Sequence, residues 1–429
     1  MNLKNIIKNL FYIPRSLAGP GNRKTIKILS SYCGKSIKNK YYRSNSKFGN
    51  WKIPKEWIVK KAVITDSKKK KIIDFSRNNL ELVVNSDSYT GVLPKKKLIK
   101  KIFTLKDNGN AVPYITNYYE KNFWSVCMKY NDFKKLKNEK YFVDIETSKI
   151  NGKMNYGEYY IRGKNYKEIV FTTYICHPQM ANNELSGPAV MVGLINKIKN
   201  YTKIKKPTFS YRFLFLPETI GSIAYINTNF SRLKKNVFAG FVLTCVGTNK
   251  KFKLILSPHE NTVADNISKQ VLDRLAKNKW ETKSFLTRGS DERQWCSPKV
   301  DLPFVSICRS KYGEYKEYHT SLDNLNFVTE KGLKNSLKIY FEIFKTFENS
   351  KFYLSKSIGE PKLDIYGFYP KISSLKTRNK VRNIMNVIAY CDGKKNEYEI
   401  SKNLNLNLNI VKNILSKLEK KQIITNKYK

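Results

Sequence analysis

Three histidines, His177, His259 and His319, are all the imidazoles that a chain of 429 residues offers. His177 follows the apolar run "EIVFTTYIC" (168–176) and precedes "PQMANNELSGP". The carboxyl end of a buried strand is where an α/β sheet presents ligand-binding groups. His319 lies in the polar loop "GEYKEYHTSLDNL" (313–325), between Glu317 and Asp323, so a carboxylate is at hand to orient it. His259 follows "SP" at the end of a third run and is the spare. Carboxylates near strand ends are few: Glu184, Glu218 at the end of "YRFLFLPE" (211–218), and Asp291 and Glu292 in "RGSDERQWCSP" (288–298). Each alone reads as a packed histidine or a solvated loop charge. Gathered from separate strand ends, two neutral imidazoles and one or two carboxylates match Zn²⁺ with an open position for water. A metal lowers the pKa of that water, and a carboxylate can take its proton. Glu218, with no basic neighbour in sequence, suits that base.

Strands must end where these residues stand. "EIVFTTYIC", "SYRFLFLP", "VFAGFVLTCVG", "KFKLILS" and "LPFVSICRS" are nearly continuous apolar runs. Between them come "GPAVMVGLINKIKN", "GSIAYINTNF" and "ENTVADNISKQVLDRLAKN", and after them "TEKGLKNSLKIYFEIFKTF", all apolar at helical spacing. Strands buried on both faces and joined by helices predict an α/β fold, a mainly parallel sheet with flanking helices. Ser186 is placed to cap the helix that follows His177, with Pro188 in its first turn.

The rest of the chain has other textures. Residues 1–50 read as helix, loop, helix. Residues 51–155 hold short β-like runs, "KAVIT", "KIIDF", "LELVV", "AVPYIT", "WSVCMKY" and "KYFVDIE", separated by turn residues. They predict a small β-rich domain inserted into a catalytic domain of 1–50 and 156–350. Residues 365–429 predict a winged helix: three helical patterns, the last with Ile410, Ile414, Leu415 and Leu418 on one face, then the strand-like "KKQIIT". Its last helix carries lysines but no Arg or Gln set for reading bases, which favours docking or structural use over DNA recognition.

Bulk numbers narrow the classes. At 41% hydrophobic and 13% aromatic residues, disorder throughout is excluded. No apolar run is long enough to span a membrane, so no membrane partner is expected. The formal charge of +47 suggests polyanion binding, but Lys greatly outnumbers Arg and is spread along the chain, which argues against a dedicated nucleic-acid patch. Seven cysteines, an odd number with no CxxC pair, predict reduced thiols and a cytoplasmic setting.

The ordered motifs "YICHPQMANNELSGP", "LPETIGS", "LTCVG", "GSDERQWCSP" and "YGEYKEYHTSLDNL" resemble the zinc aminopeptidase clan. More closely they resemble a bacterial family of aminopeptidase-like proteins with an inserted small domain and a C-terminal winged helix. "RSLAGPGNRKTIKIL" and "IPKEW" resemble that family's N-terminal segment and the start of its insert, so the likeness covers nearly the whole chain. It implies that His177 is the first zinc ligand and His319 the last. The clan's bridging Asp is replaced by Asn183, with Glu184 one place later. Its next Asp aligns with Thr244, and its Glu pair is represented by Glu218 alone. The resemblance therefore implies one zinc rather than two, held by His177, His319 and Glu184. Glu218 is the base and Asp291 a supporting carboxylate beside the site. The expected activity is hydrolysis of a peptide or amide bond in a small substrate, with Glu292, Asp291 or Glu317 receiving a free amine. Association of such proteins with surface-polysaccharide or secondary-metabolite assembly points to a modified amino acid or sugar-linked amide. The second reading is a non-catalytic ligand-binding or regulatory protein whose winged helix contacts DNA or a partner; Asn183 and Thr244 favour it.

Overall fold

The computed structural model describes residues 1–118, 120, 122–369 and 375–428. Its main sheet has eight strands in the order Lys38–Arg43, Lys153–Ile161, Ser210–Leu216, Glu168–Tyr174, Val237–Val242, Phe304–Cys308, Phe252–Ile255 and Trp280–Lys283. Glu168–Tyr174 pairs in parallel with Val237–Val242, and that strand in parallel with Phe304–Cys308. Every residue of these three strands is buried, as the unbroken apolar runs require. The sheet is mixed and mainly parallel. Antiparallel partners flank its centre: Lys38–Arg43 beside Lys153–Ile161 on one side, Phe252–Ile255 beside Phe304–Cys308 on the other.

Alternation along the strands sorts the core into two faces. Val170, Leu214 and Val242 pack against Tyr225, Ile226 and Leu233 of the helix Ile220–Asn236. Their chain neighbours Phe171, Phe213 and Phe241 stack across the other face, where Tyr340 meets Phe171 edge-on. Helices thus cover both faces, and the strand ends are left for loops.

Residues 56–150 carry a separate antiparallel sheet in the order Lys71–Asp74, Glu56–Thr65, Lys140–Ile150, Tyr89–Pro94. The lysine cluster 68–71 lies at its first hairpin turn, where Asp66 accepts from the Lys68 and Lys70 N–H groups. Two apolar runs expected as strands do other work. "LELVV" begins with a 3₁₀ turn, Asn79–Glu81, whose N-cap is Asn78, and it makes only isolated bridges afterwards. "AVPYIT" likewise contributes single bridges, one of them between Pro113 and Thr320. Of their apolar residues, Leu80, Val83 and Val112 pack on Cys127 and Met180, while Leu82 and Val84 join the core of the inserted sheet. Packing, not ladder pairing, accounts for their hydrophobicity.

Residues 343–429 and two short segments, 162–166 and 206–210, form a second compact unit. In it the helices Leu375–Ala389, Glu397–Leu404 and Leu408–Lys420 precede the strand Ile424–Asn426, which pairs antiparallel with Tyr353–Ser355. Asn396 and Glu399 make a reciprocal capping box on the second helix. Val411, Leu415 and Leu418 are the buried face of the third, while Ile410 is exposed. This is a winged helix.

The cap expected at Ser186 is not made. A π-helical turn, Ala181–Leu185, runs directly into the helix Ser186–Thr202, and the Ser186 hydroxyl donates to the Asn182 carbonyl instead. The next residue, Gly187, tolerates no side chain: a Cβ there would lie 2.3 Å from both the Leu243 carbonyl oxygen and the Thr173 hydroxyl. Gly187→Ala is expected to cost about 1–3 kcal/mol, the range for overpacking a tight core. The readout is a lower midpoint in thermal unfolding, and an unchanged midpoint would contradict the close packing.

Candidate metal centre

The strand Glu168–Tyr174 carries the chain through Cys176 to His177, and the N-terminal segment grips this end. Arg15, buried in the loop between the first two helices, donates from Nε to the His177 carbonyl at 2.9 Å and from a guanidinium nitrogen to the Leu10 carbonyl at 2.6 Å. Asn22 donates to the Ile175 carbonyl at 3.0 Å. The π-helical turn then brings Glu184 back beside His177. Its Oε2 lies 2.8 Å from His177 Nδ1.

The opposite ring nitrogen faces a different carboxylate. His177 Nε2 is 3.5 Å from Glu218 Oε2. Glu218 sits where the strand Ser210–Leu216 turns into its helix, and its N–H reaches Cys176 Sγ at 3.2 Å. The following residue, Thr219, has φ of 64° and ψ of −77°, a strained conformation for a β-branched residue. Asp291 holds this turn. One oxygen accepts the Thr219 N–H at 2.7 Å and the other accepts the Ser222 hydroxyl at 2.8 Å. Arg293 adds a bond to the Thr219 hydroxyl at 2.6 Å.

His319 comes from the loop after Phe304–Cys308. Its ring centre is 5.5 Å from that of His177. Two imidazoles bound through nitrogen to one tetrahedral zinc ion, at Zn–N of about 2.0–2.1 Å, have ring centres roughly 5 Å apart. The spacing matches a shared ion, but among the described residues no third ligand atom closes on the two rings as Cys176, His177 and Glu184 close on one another. Tyr318 stacks on His319 at 3.9 Å. Among the described residues the His319 ring has no hydrogen bond, so neither Glu317 nor Asp323 orients it. Asp323 instead crosses to the other loop and accepts the N–H groups of Asn182 and Asn183 at 2.6 and 2.8 Å.

Asn183 and Thr244 meet in a closed, neutral ring. The Asn183 amide donates to the Tyr174 hydroxyl at 3.1 Å, that hydroxyl lies 2.6 Å from the Thr244 hydroxyl, and Thr244 donates to the Asn183 carbonyl at 2.8 Å. The Asn183 side-chain oxygen is buried without a partner.

The electrostatics follow from burial. His319 is pushed down to about 3 by burial and by the proximity of His177, so it is a neutral imidazole at pH 7. Burial opposes charge on His177 too, but Cys176 and Glu184 outweigh it and raise its pKa. Burial raises Glu218, with His177 and Arg293 opposing. Asp291 and Asp323 are both raised to about 7, chiefly by burial.

Among the described residues, Cys176, His177 and Glu184 are the one set of three side chains that group closely enough to hold an ion. Arg15 already brings its positive charge to that corner, where it interacts with Glu184 and Cys176. A second cation there would be repelled. His259 is exposed and pairs with Asp301 at 2.8 Å, away from the other two imidazoles. Of the carboxylates considered for an amine, Asp291 uses both oxygens, while buried Glu292 keeps one oxygen unpaired. A cavity of about 530 Å³ opens between the first helix, the inserted sheet and the loops of Gln179 and Ser321; His177, Glu218 and His319 do not line it.

Two residues carried no sequence signal. Arg15 is one basic residue among many, and only its burial marks it out. Tyr114, from the inserted segment, lies 5.0 Å from the His177 ring and 5.2 Å from the His319 ring. Neither spacing nor composition could place it there.

Comparison with known proteins agrees with this architecture. The fold is that of the zinc aminopeptidases: one from Bacillus subtilis superposes with a TM-score of 0.57 at 14% identity, over 80% of this chain and 93% of that one. Residues 4–350 match the family described as "Domain of unknown function (DUF4910)", and residues 351–426 match a winged helix-turn-helix. The chain belongs to the DUF4910 family. A Clostridium acetobutylicum relative, named "Putative polysaccharide biosynthesis protein with aminopeptidase-like domain", is 39% identical over 86% of this chain and 83% of its own length. A crystal structure of a "putative peptidase" from the same species has a TM-score of 0.81 at 34% identity, covering 99% of this chain and 95% of that one. No helix among the described residues is long and apolar enough to cross a membrane.

The raised carboxyl of Asp323 sets a pH dependence. A free Asp titrates near 3.9, so between about pH 4 and 7 the folded protein holds more protons here than the unfolded chain. Asp323 therefore makes stability fall as pH rises through that window. Asp323→Asn removes this titration. Relative to wild type, the variant is expected to be less stable near pH 4 and to close the gap toward pH 7 in urea unfolding. A constant difference across the window would show that Asp323 titrates normally.

Proposed function

We propose that this protein is a single-zinc hydrolase that cleaves a peptide or amide bond of a small substrate. The observation that carries the reading is that His177 Nε2 stands 3.5 Å from Glu218 while the His319 ring, from a third loop, comes within 5.5 Å of the His177 ring. His177 and His319 would hold the ion. Glu184 touches Nδ1, on the far side of the His177 ring from Glu218, so in this reading it orients His177 rather than binding the same ion. What zinc supplies when bound is Lewis acidity toward a carbonyl and a water of lowered pKa.

The chain's own groups complete the chemistry. Glu218 accepts a proton from the attacking water and returns it to the leaving amine, for which a carboxyl raised by burial is suited. Asp291 and Arg293 keep Glu218 aimed by fixing the strained turn behind it. The neutral ring of Asn183, Tyr174 and Thr244 supplies no carboxylate for a second ion, which supports one metal over two. The name of the Clostridium relative, which speaks of polysaccharide biosynthesis, favours a modified amino acid or sugar-linked amide as substrate, and the reduced thiols favour the cytoplasm. Nucleic acid is the less favoured partner. The same neutral ring favours the second reading, a ligand-binding protein without catalysis.

Metal analysis of the purified protein is expected to give about one zinc per chain, lost in His319→Ala. Glu218→Gln is expected to keep the zinc and to lower hydrolysis of aminoacyl amides by about 10²–10⁴-fold, the usual worth of a general base. Protein that binds no zinc would leave only the non-catalytic reading. Loss of zinc in Glu218→Gln would make Glu218 a ligand.

A further inference from the structure

The inserted sheet does more than decorate the fold. Its segment 108–116 is stitched to the loop that carries His319. The Tyr114 N–H donates to the His319 carbonyl at 2.9 Å, the Ser321 N–H to the Val112 carbonyl at 2.9 Å, and the Val112 N–H to the Ser321 hydroxyl at 3.0 Å. Asn108 adds a side-chain bond to the Lys316 carbonyl at 3.2 Å. The insert also reaches the loop that carries His177. Gln179 accepts the Asn79 N–H, and Leu80, Val83, Val112 and Cys127 enclose Met180. These attachments fix the segment against both histidine loops.

They also place one side chain. The rings of Tyr114, His177 and His319 form a triangle with sides of 5.0, 5.2 and 5.5 Å. The Tyr114 hydroxyl has no hydrogen bond among the described residues. A large aromatic ring held over two imidazoles blocks one approach to them. Any ligand seated on both imidazoles must then lie against that ring.

We propose that Tyr114 is a substrate-contacting, size-selecting residue, so that the inserted domain completes the site and restricts it to small amides. The word substrate rests on the hydrolase reading; the roof over the imidazoles does not. A bulky acyl group or a polypeptide meets the phenol ring and the stitched 108–116 segment behind it.

The roof is tested without activity. In metal-free protein, carbethoxylation of His177 and His319 by diethyl pyrocarbonate is followed by peptide mass mapping. Tyr114→Ala is expected to react at least about 10-fold faster than wild type at one or both histidines, and Tyr114→Phe at the wild-type rate. Retained circular dichroism and thermal midpoint confirm that the variants fold. Equal rates in wild type and Tyr114→Ala overturn the proposal. Should Tyr114→Ala fail to fold, Tyr114→Leu, which keeps an apolar side chain, takes its place with the same expectation. Size selection is then read on zinc-loaded protein. The ratio of kcat/KM for tetrapeptides to that for aminoacyl amides is expected to rise at least about 10-fold in Tyr114→Ala, and an unchanged ratio overturns the size-selecting role. No hydrolysis by wild type on any of these substrates defeats the hydrolase reading instead, while the modification rates still decide the roof.

Discussion

Two backbone N–H groups, those of Asn182 and Asn183, end on one buried carboxylate, Asp323. Buried peptide groups must be paired, and a π-helical turn leaves several of them without helical partners. Asp323 meets that need from another loop, four residues beyond His319. The bond pair thereby fixes the distance between the two loops that carry imidazoles. Glu184 follows Asn183 directly, so its approach to His177 depends on the same anchor. Removing these two acceptor oxygens would free the turn, then Glu184, then the ring it holds.

The site is built in layers of decreasing charge. Arg15 and Glu184 lie behind His177, and Glu218 lies in front, so the imidazole has a carboxylate at each nitrogen. Behind Glu218 stands Asp291, saturated by Thr219 and Ser222. Between His177 and the strand Val237–Val242 lie the Asn183 amide, which donates to the Tyr174 hydroxyl, and the Thr244 hydroxyl, which donates to the Asn183 main-chain carbonyl. A neutral ring of this kind needs no counter-ion. It gives the fold its internal order without the charge that a second metal would balance.

Much of the architecture could be read before any coordinates. Unbroken apolar runs marked the central strands, and the helical spacing of "GPAVMVGLINKIKN" marked the helix after His177. The positions of His177 and Glu218 at strand ends, and of His319 in the loop after Phe304–Cys308, followed from the same reading. Contacts between distant segments could not be read. "LELVV" and "AVPYIT" look like strands because their residues are apolar and β-branched, yet that surface is spent partly against Met180 and Cys127 and partly in the core of the inserted sheet. The lone strand Lys38–Arg43 was missed because it is exposed, and an exposed strand has no apolar pattern. Ser186 looks like a cap until the π turn in front of it makes a cap unnecessary. Tyr114 and Arg15 act through positions set by the whole fold, and no local pattern distinguishes them from other tyrosines and arginines.

The inserted sheet leaves and re-enters the chain through paired residues. Glu56, at the start of its first long strand, lies opposite Ile150, at the end of its last. An excursion whose two ends are neighbours adds little strain to the parent fold, since the host sees only a short bridged gap. Such a module can be lengthened, shortened or exchanged whole, Tyr114 included, while the imidazoles and their supports stay untouched. Variation would then collect in the insert rather than in the loops it covers.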